Sequence, residues 1–134
     1  MNLVVVIPAY NEEKNIEGVL DDIKGTVPET EILVIDDGAA DHTTLVAQRS
    51  QKATVITLPN NLGIGGAIQT GFKYAERKNY DIIVRVDGDG QHQAEEIKKI
   101  AKPILDKEAD IVIGSRFLNQ DKSYPISIRR IGQK

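Results

Sequence analysis

The segment IIVRVDGDGQH, residues 82–92, joins an apolar run directly to an acidic, glycine-rich turn. Ile82–Val86 is nearly continuous in apolar character, which is typical of a strand buried on both faces of a parallel sheet. Asp87 and Asp89 follow at once with one glycine between them, so in an extended segment both carboxylates project to the same side. Because like charges at this spacing repel each other, the pattern predicts a cationic partner for the two acids.

Similar apolar runs recur along the chain, with helical spacing between them. The strands are predicted, in chain order, at Leu3–Ile7, Glu31–Ile35, Thr54–Leu58, Asp81–Val86 and Asp110–Ile113. A helix is expected in each interval, with Asn11 capping the first and Asp41 capping the second. The third helix is expected to bury a stripe formed by Ile64, Ala67, Ile68, Gly71, Phe72 and Ala75. This alternation of strand and helix indicates an α/β fold with right-handed crossovers.

The composition fits one soluble domain. The chain has 134 residues, of which 40% are hydrophobic and 28% charged. A formal net charge of −3 argues against a nucleic-acid partner, which would call for a basic face. There is no cysteine, so disulfides and thiolate metal sites are excluded. The apolar runs are too short to span a bilayer and Leu3–Ile7 lacks the flanks of a signal peptide, so we expect a cytoplasmic location.

Every predicted strand is followed by a polar or glycine-rich corner. In parallel α/β sheets, ligands bind at the carboxyl ends of the strands, near the point where the strand order reverses. The corners are PAYNEE at 8–13, DDGAADHT at 36–43, PNNLGIGG at 59–66, DGDGQH at 87–92 and GSRF at 114–117. We therefore expect the functional site where these corners meet.

Three common sites do not fit these corners. A dinucleotide fingerprint needs glycines after the first strand, where this chain has Pro8–Tyr10. A phosphate loop would require Lys-Ser or Lys-Thr where Phe72 and Lys73 stand. A calcium loop would require a glycine at His92 and a glutamate at Lys98.

What remains is a site for a hard cation. Carboxylate oxygens at Asp87 and Asp89 suit Mg²⁺ or Mn²⁺, ions that also bind substrate phosphates. Gln91 lies two residues further on and can add a carbonyl oxygen. The competing interpretation is a solvated turn, because Asp-Gly pairs are common in turns. Two such pairs directly after a buried strand favour the metal.

Taken together, the motifs VVVIPAYNEEKNI, VIDDGAADHT, NNLGIGGAIQTGFKYA, DGDGQH and GSRF resemble those of the family 2 nucleotide-sugar glycosyltransferases. The form DGDGQH is most similar to the polyprenyl-phosphate branch, which includes dolichol-phosphate mannose synthases. The resemblance implies a three-layer, Rossmann-like GT-A fold with a mostly parallel sheet. It also implies inverting, metal-dependent transfer of a sugar from a UDP- or GDP-sugar to a polyprenyl phosphate or a glycan. Family members continue past GSRF, so we expect residues 1–134 to be a donor-binding domain that lacks the acceptor half.

The resemblance also implies a role for individual residues. Asp87, Asp89 and Gln91 match the metal ligands. Asp89 and Arg116 are expected to be the catalytic residues, with Arg116 matching an arginine near the donor phosphates. Asp37 matches the residue that bonds to the nucleobase. The residues expected to hold the nucleotide are Pro8, Ala9, Tyr10, Glu12, Asp37 and Asp87.

Each of these roles has a structural alternative. Tyr10 can be a core aromatic, Glu12 a first-turn charge on the helix dipole, and Arg116 one half of a surface ion pair. Asp36 and Asp37 can cap the following turn. His92 is the weakest candidate, because a histidine beside acidic ligands is more often a supporting group.

The sequence also bears on membrane contact, on oligomerisation and on the alternative to an enzyme. Arg129 and Arg130 lie near where the branch carries basic residues facing phosphates or a membrane surface, although a solvated tail fits equally well. Homo-oligomerisation is left open. The alternative to a transferase is a catalytically incomplete module that binds nucleotides or mediates oligomerisation.

Overall fold

The computed structural model describes residues 1–90 and 94–114. Within these residues, four strands alternate with four helices. In chain order they are β1 (Leu3–Ala9), α1 (Ile16–Thr26), β2 (Glu31–Asp36), α2 (Thr43–Arg49), β3 (Thr54–Thr57), α3 (Gly63–Arg77), β4 (Ile82–Arg85) and α4 (Glu95–Leu105). The α/β fold predicted from the alternation is confirmed.

The four strands form one parallel sheet in the order β3-β2-β1-β4. Val5 of β1 lies opposite Ile32 of β2 on one side and Val84 of β4 on the other. The chain moves from β1 outward to β3 and then returns across the sheet to place β4 beside β1. The strand order therefore reverses between β1 and β4, which creates a switch point at the carboxyl ends of these two strands.

Helices cover both faces of the sheet, which gives three layers. Val5 and Ile7 pack in the cluster that contains side chains of α1, α2 and α4. Val4 and Val6 face the other way and pack in a second cluster with Ala67 and Ala75 of α3. Right-handed crossovers explain this arrangement, because only the connection through α3 runs back across the sheet. All four β1 side chains are fully buried, and each contributes roughly 1.5–3 kcal/mol of hydrophobic stabilisation.

Small residues let α3 lie close to the sheet. Ala67, Gly71 and Ala75 are its buried residues. A Cβ atom on Gly71 would lie 2.5 Å from Cγ1 of Val6, closer than any real contact. The predicted stripe is therefore right for these small residues and wrong for Ile64 and Phe72, which are exposed. The small residues occupy the contact line, and the larger ones are displaced to its flanks.

The predicted helix caps differ from the observed ones. Asn11 has a φ of +53° and does not cap α1, which begins at Ile16. The side chain of Asn11 instead accepts a hydrogen bond from the backbone N–H of Ala40, at 2.9 Å. His42 occupies the N-cap position of α2, but Oδ1 of Asp41 accepts the backbone N–H of Thr43, the first residue of that helix, at 3.0 Å. Asn11 therefore links two loops, whereas Asp41 supports the start of α2 from one residue before its N-cap position.

The predicted strand at Asp110–Ile113 is wrong, because this segment has no strand conformation. Ile111 and Ile113 are 81% and 84% exposed. Within the described residues β4 pairs only with β1, so no strand offers this segment a hydrogen-bonded ladder. Strand propensity expresses itself only when a neighbouring strand and a packed face are available. Among the helices that the structure describes, none has the length and apolar character needed to cross a bilayer.

Candidate active site

A cleft of about 410 Å³ opens at the carboxyl ends of the strands, at the switch point between β1 and β4. Loops that follow all four strands contribute to its walls. It is lined by Pro8, Ala9, Tyr10, Glu12, Asp37, Asn61, Gly63, Ile64, Ala67, Asp87, Gly88 and Asp89. Every site residue predicted from the sequence that the structure describes is in this lining. Gln91 and Arg116 lie outside the described residues, as do His92, Arg129 and Arg130.

Tyr10 stands at the rim of the cleft, directly after β1. Its side chain is 48% exposed, so the interpretation of Tyr10 as a core aromatic is wrong. The residue before it, Ala9, is buried, and its carbonyl accepts the backbone N–H of Asp37 at 2.9 Å. This bond extends the β1–β2 ladder by one step and places Tyr10 and Asp37 at the same edge of the sheet. An exposed aromatic face is available there for stacking.

Thr43 fixes the loop that carries Tyr10 and Glu12. It is fully buried, its hydroxyl accepts the backbone N–H of Glu12 at 2.9 Å, and the same hydroxyl donates to Oδ1 of Asp41. The carboxylate of Glu12 accepts a hydrogen bond from the Asn15 amide at 2.8 Å, just before α1. Glu12 therefore lines the cleft and also supports the start of the helix.

Glu13 and Asp41 tie the loops after β1 and β2 together. The backbone N–H of Glu13 donates to Oδ2 of Asp41 at 3.2 Å, and Oε2 of Glu13 accepts the backbone N–H of His42 at 3.0 Å. The same oxygen lies 3.2 Å from Nδ1 of His42. Burial raises the pKa of Asp41, but hydrogen bonds from Thr43 and Glu13 and the nearby His42 outweigh it and set this pKa below its ordinary value of 3.8.

The adjacent acids Asp36 and Asp37 have different environments. Asp36 is buried, and its carboxylate accepts the backbone N–H of Ala39 at 2.8 Å and the hydroxyl of Thr44. It closes the turn after β2, as the capping alternative predicted. Oδ1 of Asp37 instead accepts the backbone N–H of Leu62 at 2.7 Å, across to the start of α3, and Asp37 lines the cleft.

Gly38 is required where the loops after β2 and β3 meet. Its φ is +71°, a conformation that side chains strongly disfavour. A Cβ atom there would lie 2.8 Å from the backbone nitrogen of Asn61 and 2.9 Å from the carbonyl carbon of Asn60. The two backbones therefore touch directly, which brings Asn61 to the cleft wall.

Asn61, Gly63, Ile64 and Ala67 line the cleft although the sequence assigned them no individual role. They belong to the corner PNNLGIGG and the first turns of α3. The polar, glycine-rich composition of that corner was the available signal, and it pointed to a loop rather than to particular side chains. Their position depends on the long-range contacts of Asp37 and Gly38.

Asp87 and Asp89 form the wall on the β4 side. Gly88 between them is buried against β1, where a Cβ atom would lie 3.4 Å from both the carbonyl oxygen of Pro8 and Cβ of Ala9. Oδ1 of Asp87 accepts a hydrogen bond from Nη2 of Arg85 at 3.0 Å. These are ordinary van der Waals distances, so the acidic turn packs against the end of β1 without requiring a glycine at this position. Both carboxylates border the same cleft as Asp37.

The donor set at Asp87 and Asp89 fits Mg²⁺ or Mn²⁺. Among the described residues, no group of three or more His, Cys, Asp or Glu side chains could hold a metal. This excludes a cage made only of such side chains within that part of the chain. Mg²⁺ usually keeps several waters and binds one or two carboxylates together with substrate phosphates. Two carboxylates on a cleft wall match that mode.

The family follows from comparison with known proteins. The profile of the family described as Glycosyl transferase family 2 matches residues 4–132. The chain belongs to glycosyltransferase family 2. The match confirms the family resemblance drawn from the five motifs.

Two curated relatives place the chain in the polyprenyl-phosphate branch. An undecaprenyl-phosphate mannosyltransferase of Micrococcus luteus is 33% identical over 137 residues, covering 98% of this chain and 56% of that protein. A UDP-N-acetylglucosamine–dolichyl-phosphate N-acetylglucosaminyltransferase of Methanococcus voltae is 32% identical over 148 residues, covering 97% and 58%. The chain thus spans about half the length of these relatives.

A solved structure supports the GT-A fold. Glucosyl-3-phosphoglycerate synthase from Mycobacterium tuberculosis, in complex with Mn²⁺, UDP and glucosyl-3-phosphoglycerate, superposes with a TM-score of 0.64. The identity is 30%, and the match covers 78% of this chain and 39% of that one. The predicted Rossmann-like GT-A fold is confirmed.

Proposed function

We propose that this domain binds a UDP- or GDP-sugar with Mg²⁺ or Mn²⁺ and serves an inverting transfer of the sugar to a polyprenyl phosphate. One observation carries the proposal: those residues expected to hold the base, the diphosphate and the metal that the structure describes come from separate loops and border one cleft. The parallel order of the strands brings Tyr10, Asp37 and Asp89 to the same edge of the sheet. The aromatic and acidic groups found together there match the base, the diphosphate and the metal of one shared substrate.

The nucleoside is assigned to the wall formed by β1 and β2. Pro8 and Ala9 provide a small apolar floor, Tyr10 provides a face for stacking, and Asp37 provides an acceptor for a base N–H. The polar bonds behind this wall, through Thr43 and Asp41, hold it in place before the nucleotide arrives. Such preorganisation favours binding because less loop entropy is lost on association.

The diphosphate is assigned to the β4 wall. Asp87 and Asp89 would hold the divalent ion, with Gln91 as an additional ligand. When bound, that ion neutralises the diphosphate and stabilises the departing nucleotide. The guanidinium of Arg85 already offsets part of the negative charge of Asp87, and a bound divalent ion would further reduce the repulsion between these carboxylates and the donor diphosphate. Arg116 is assigned to the donor phosphates on the strength of the family resemblance.

The acceptor is assigned from its chemistry and from the names of the relatives. A phosphate oxygen of the acceptor attacks the anomeric carbon opposite the nucleotide, the bond from that carbon to the donor phosphate oxygen breaks, and the configuration inverts. A polyprenyl phosphate is already anionic, so this step needs no general base. Undecaprenyl phosphate and dolichyl phosphate appear in the names of the two curated relatives.

Calorimetric titration tests the binding half of this proposal. UDP and GDP are titrated into the protein with and without Mn²⁺. The nucleotide is expected to bind at least about tenfold more tightly with the ion, or to bind only when the ion is present. Asp89→Asn is expected to remove that enhancement. The matched control is Asp106→Asn, which changes an exposed carboxylate paired with Lys102 at the end of α4. Equal affinity with and without the ion would contradict the proposed metal site.

A transfer assay tests the reaction. The protein is incubated with labelled UDP- and GDP-sugars, Mn²⁺ and a short-chain polyprenyl phosphate, and the product is analysed for label and anomeric configuration. The proposal predicts a lipid-linked sugar of inverted configuration. Metal-dependent nucleotide binding without transfer to the polyprenyl phosphate would favour the alternative of a nucleotide-binding module.

A further inference from the structure

Resting on the proposed function, we propose that Arg85 is a resident counterion of the metal site. Its guanidinium opposes the divalent ion at Asp87 and weakens the binding of that ion when no nucleotide is present. The basis is one ion pair at the end of β4, in which Nη2 of Arg85 donates to Oδ1 of Asp87 at 3.0 Å. The pair engages one of the two carboxylates that the proposed ion requires.

The geometry of β4 brings the two side chains together. The N–H of Val86, which lies between them, donates to the carbonyl of Val6 at 3.0 Å, so the ladder with β1 continues past the last residue of β4. Val84 and Val86 pack in the cluster that contains side chains of α1 and α4. Side chains alternate between the faces of a strand, so Arg85 and Asp87 project together toward the opposite face. The ion pair is therefore a direct consequence of strand geometry.

Arg85 supplies a positive charge to an acidic cleft. Of the described residues that line the cleft, none is basic and four are acidic, namely Glu12, Asp37, Asp87 and Asp89. Arg85 contacts this acidic lining through Asp87. Its charge cancels one of the two negative charges of Asp87 and Asp89. A divalent ion that reaches the site without nucleotide is therefore attracted by less negative charge and is also repelled by the guanidinium.

The opposite effect of Arg85 has to be weighed against this repulsion. A hydrogen bond to a metal-binding carboxylate can strengthen metal binding by fixing the orientation of the carboxylate. Here the side chains of Arg85 and Asp87 are 43% and 32% exposed, and a pair this exposed restrains its members only weakly. The repulsion acts on both positive charges of the ion and needs no fixed orientation. We therefore expect repulsion to outweigh orientation.

A bound nucleotide changes this balance. Its diphosphate adds oxygen ligands for the ion and negative charge that offsets the guanidinium. The ion is then held by protein and substrate together, whereas the two carboxylates beside Arg85 hold it weakly on their own. Arg85 thus makes firm binding of the ion conditional on the presence of the nucleotide.

Titration of Mn²⁺ into the protein without nucleotide, with the free ion measured by electron paramagnetic resonance, tests the inference. Arg85→Gln removes the charge and is expected to bind Mn²⁺ about threefold to tenfold more tightly than the unmodified protein. Arg85→Lys keeps the charge and should bind like the unmodified protein. The matched control is Arg77→Gln, which removes an exposed positive charge at the last residue of α3, and its affinity for Mn²⁺ should not change.

The thermal unfolding midpoint of each variant establishes that it is folded. The role of Arg85 would be overturned if Arg85→Gln bound Mn²⁺ no more tightly than the unmodified protein, or if Arg77→Gln gained as much. Behaviour of Arg85→Lys like that of Arg85→Gln would also overturn it, because the charge would then not be the cause. The unmodified protein is titrated again with UDP or GDP present, which tests the proposed function separately. If neither nucleotide strengthens Mn²⁺ binding, the proposed function is overturned together with this inference.

Discussion

Two clefts of similar size lie at opposite ends of the sheet. The one at the carboxyl ends encloses about 410 Å³ and the one at the amino ends about 380 Å³. At the amino ends, Nζ of Lys24 donates to the carbonyls of Pro28 and Thr30, at 3.2 and 2.7 Å, and Lys52 pairs with Asp21. These charged groups stabilise their own surroundings. At the carboxyl ends, side chains from four loops converge on one space. Volume therefore does not distinguish the two clefts, whereas the origin of their polar groups does.

The largest expected effect is on stability, and it comes from the contact of Gly38 with the backbone of Asn60 and Asn61 beside the carboxyl-end cleft. Gly38→Ala combines a positive φ with a clash against backbone atoms, so we expect a loss of about 3 kcal/mol or more in the free energy of unfolding. Gly63→Ala is the matched control, because Gly63 also has a positive φ, +79°, but nothing lies within 4 Å of an added Cβ atom. Its expected loss is about 1 kcal/mol. Urea denaturation measures both, and equal losses would show that the loop contact does not matter.

The next largest effect is expected when the hydroxyl of Thr43 is removed. This buried hydroxyl holds the loop that carries Tyr10 and Glu12. Thr43→Val keeps the shape and removes a donor and an acceptor, which leaves the N–H of Glu12 without its partner. We expect about 1–3 kcal/mol of destabilisation and a weaker affinity for nucleotide. Thr43→Ser retains the hydroxyl and should restore most of the affinity. If the serine variant binds as poorly as the valine variant, the hydroxyl alone does not hold the loop, which would contradict this account.

A smaller effect depends on pH through Asp41. Its pKa is lowered in the folded protein, so its contribution to stability is complete above its ordinary value of 3.8 and is lost as pH falls through the folded-state value. The free energy of unfolding of the native protein should therefore fall more steeply below that pH than that of Asp41→Asn. Urea denaturation at about pH 7 and about pH 3 compares the two slopes. Parallel slopes would contradict the lowered pKa.

The smallest effect is expected at the amino-end cleft. Lys52→Ala removes an exposed ion pair with Asp21, which contributes about 0–1 kcal/mol to stability. Its affinity for UDP with Mn²⁺ should equal that of the unmodified protein. A marked loss of affinity would indicate that the nucleotide binds at the amino-end cleft, which would contradict the distinction drawn between the two clefts.

Much of this fold could be predicted from local pattern. β-branched runs such as Val4–Ile7 are buried on both faces, and the stripe of α1 formed by Ile16, Val19, Leu20 and Ile23 is buried as its spacing requires. Asp87 and Asp89 could be recognised from the sequence as candidate site residues, because packing does not explain two acids directly after a buried strand. In these cases the sequence neighbours of a residue determine its environment.

The remaining features depend on residues distant in sequence. Asp36 and Asp37 are adjacent and identical, yet one closes a turn and the other crosses to Leu62. The segment Asp110–Ile113 has the composition of a strand but no strand partner within the described residues. Asn61 reaches the cleft because Gly38 lets two backbones touch. Such long-range contacts leave little trace in local composition.

The central claim is that the carboxyl-end cleft binds a nucleoside diphosphate with a divalent ion. A ¹H–¹⁵N NMR titration with Mg²⁺ and, separately, UDP and GDP tests it most directly. The account predicts that the largest amide shifts cluster at Tyr10, Asp37, Gly63 and Gly88, and that residues 51–54 at the amino-end cleft do not shift. Shifts centred on residues 51–54, or no shifts with either UDP or GDP in the presence of saturating Mg²⁺, would contradict it.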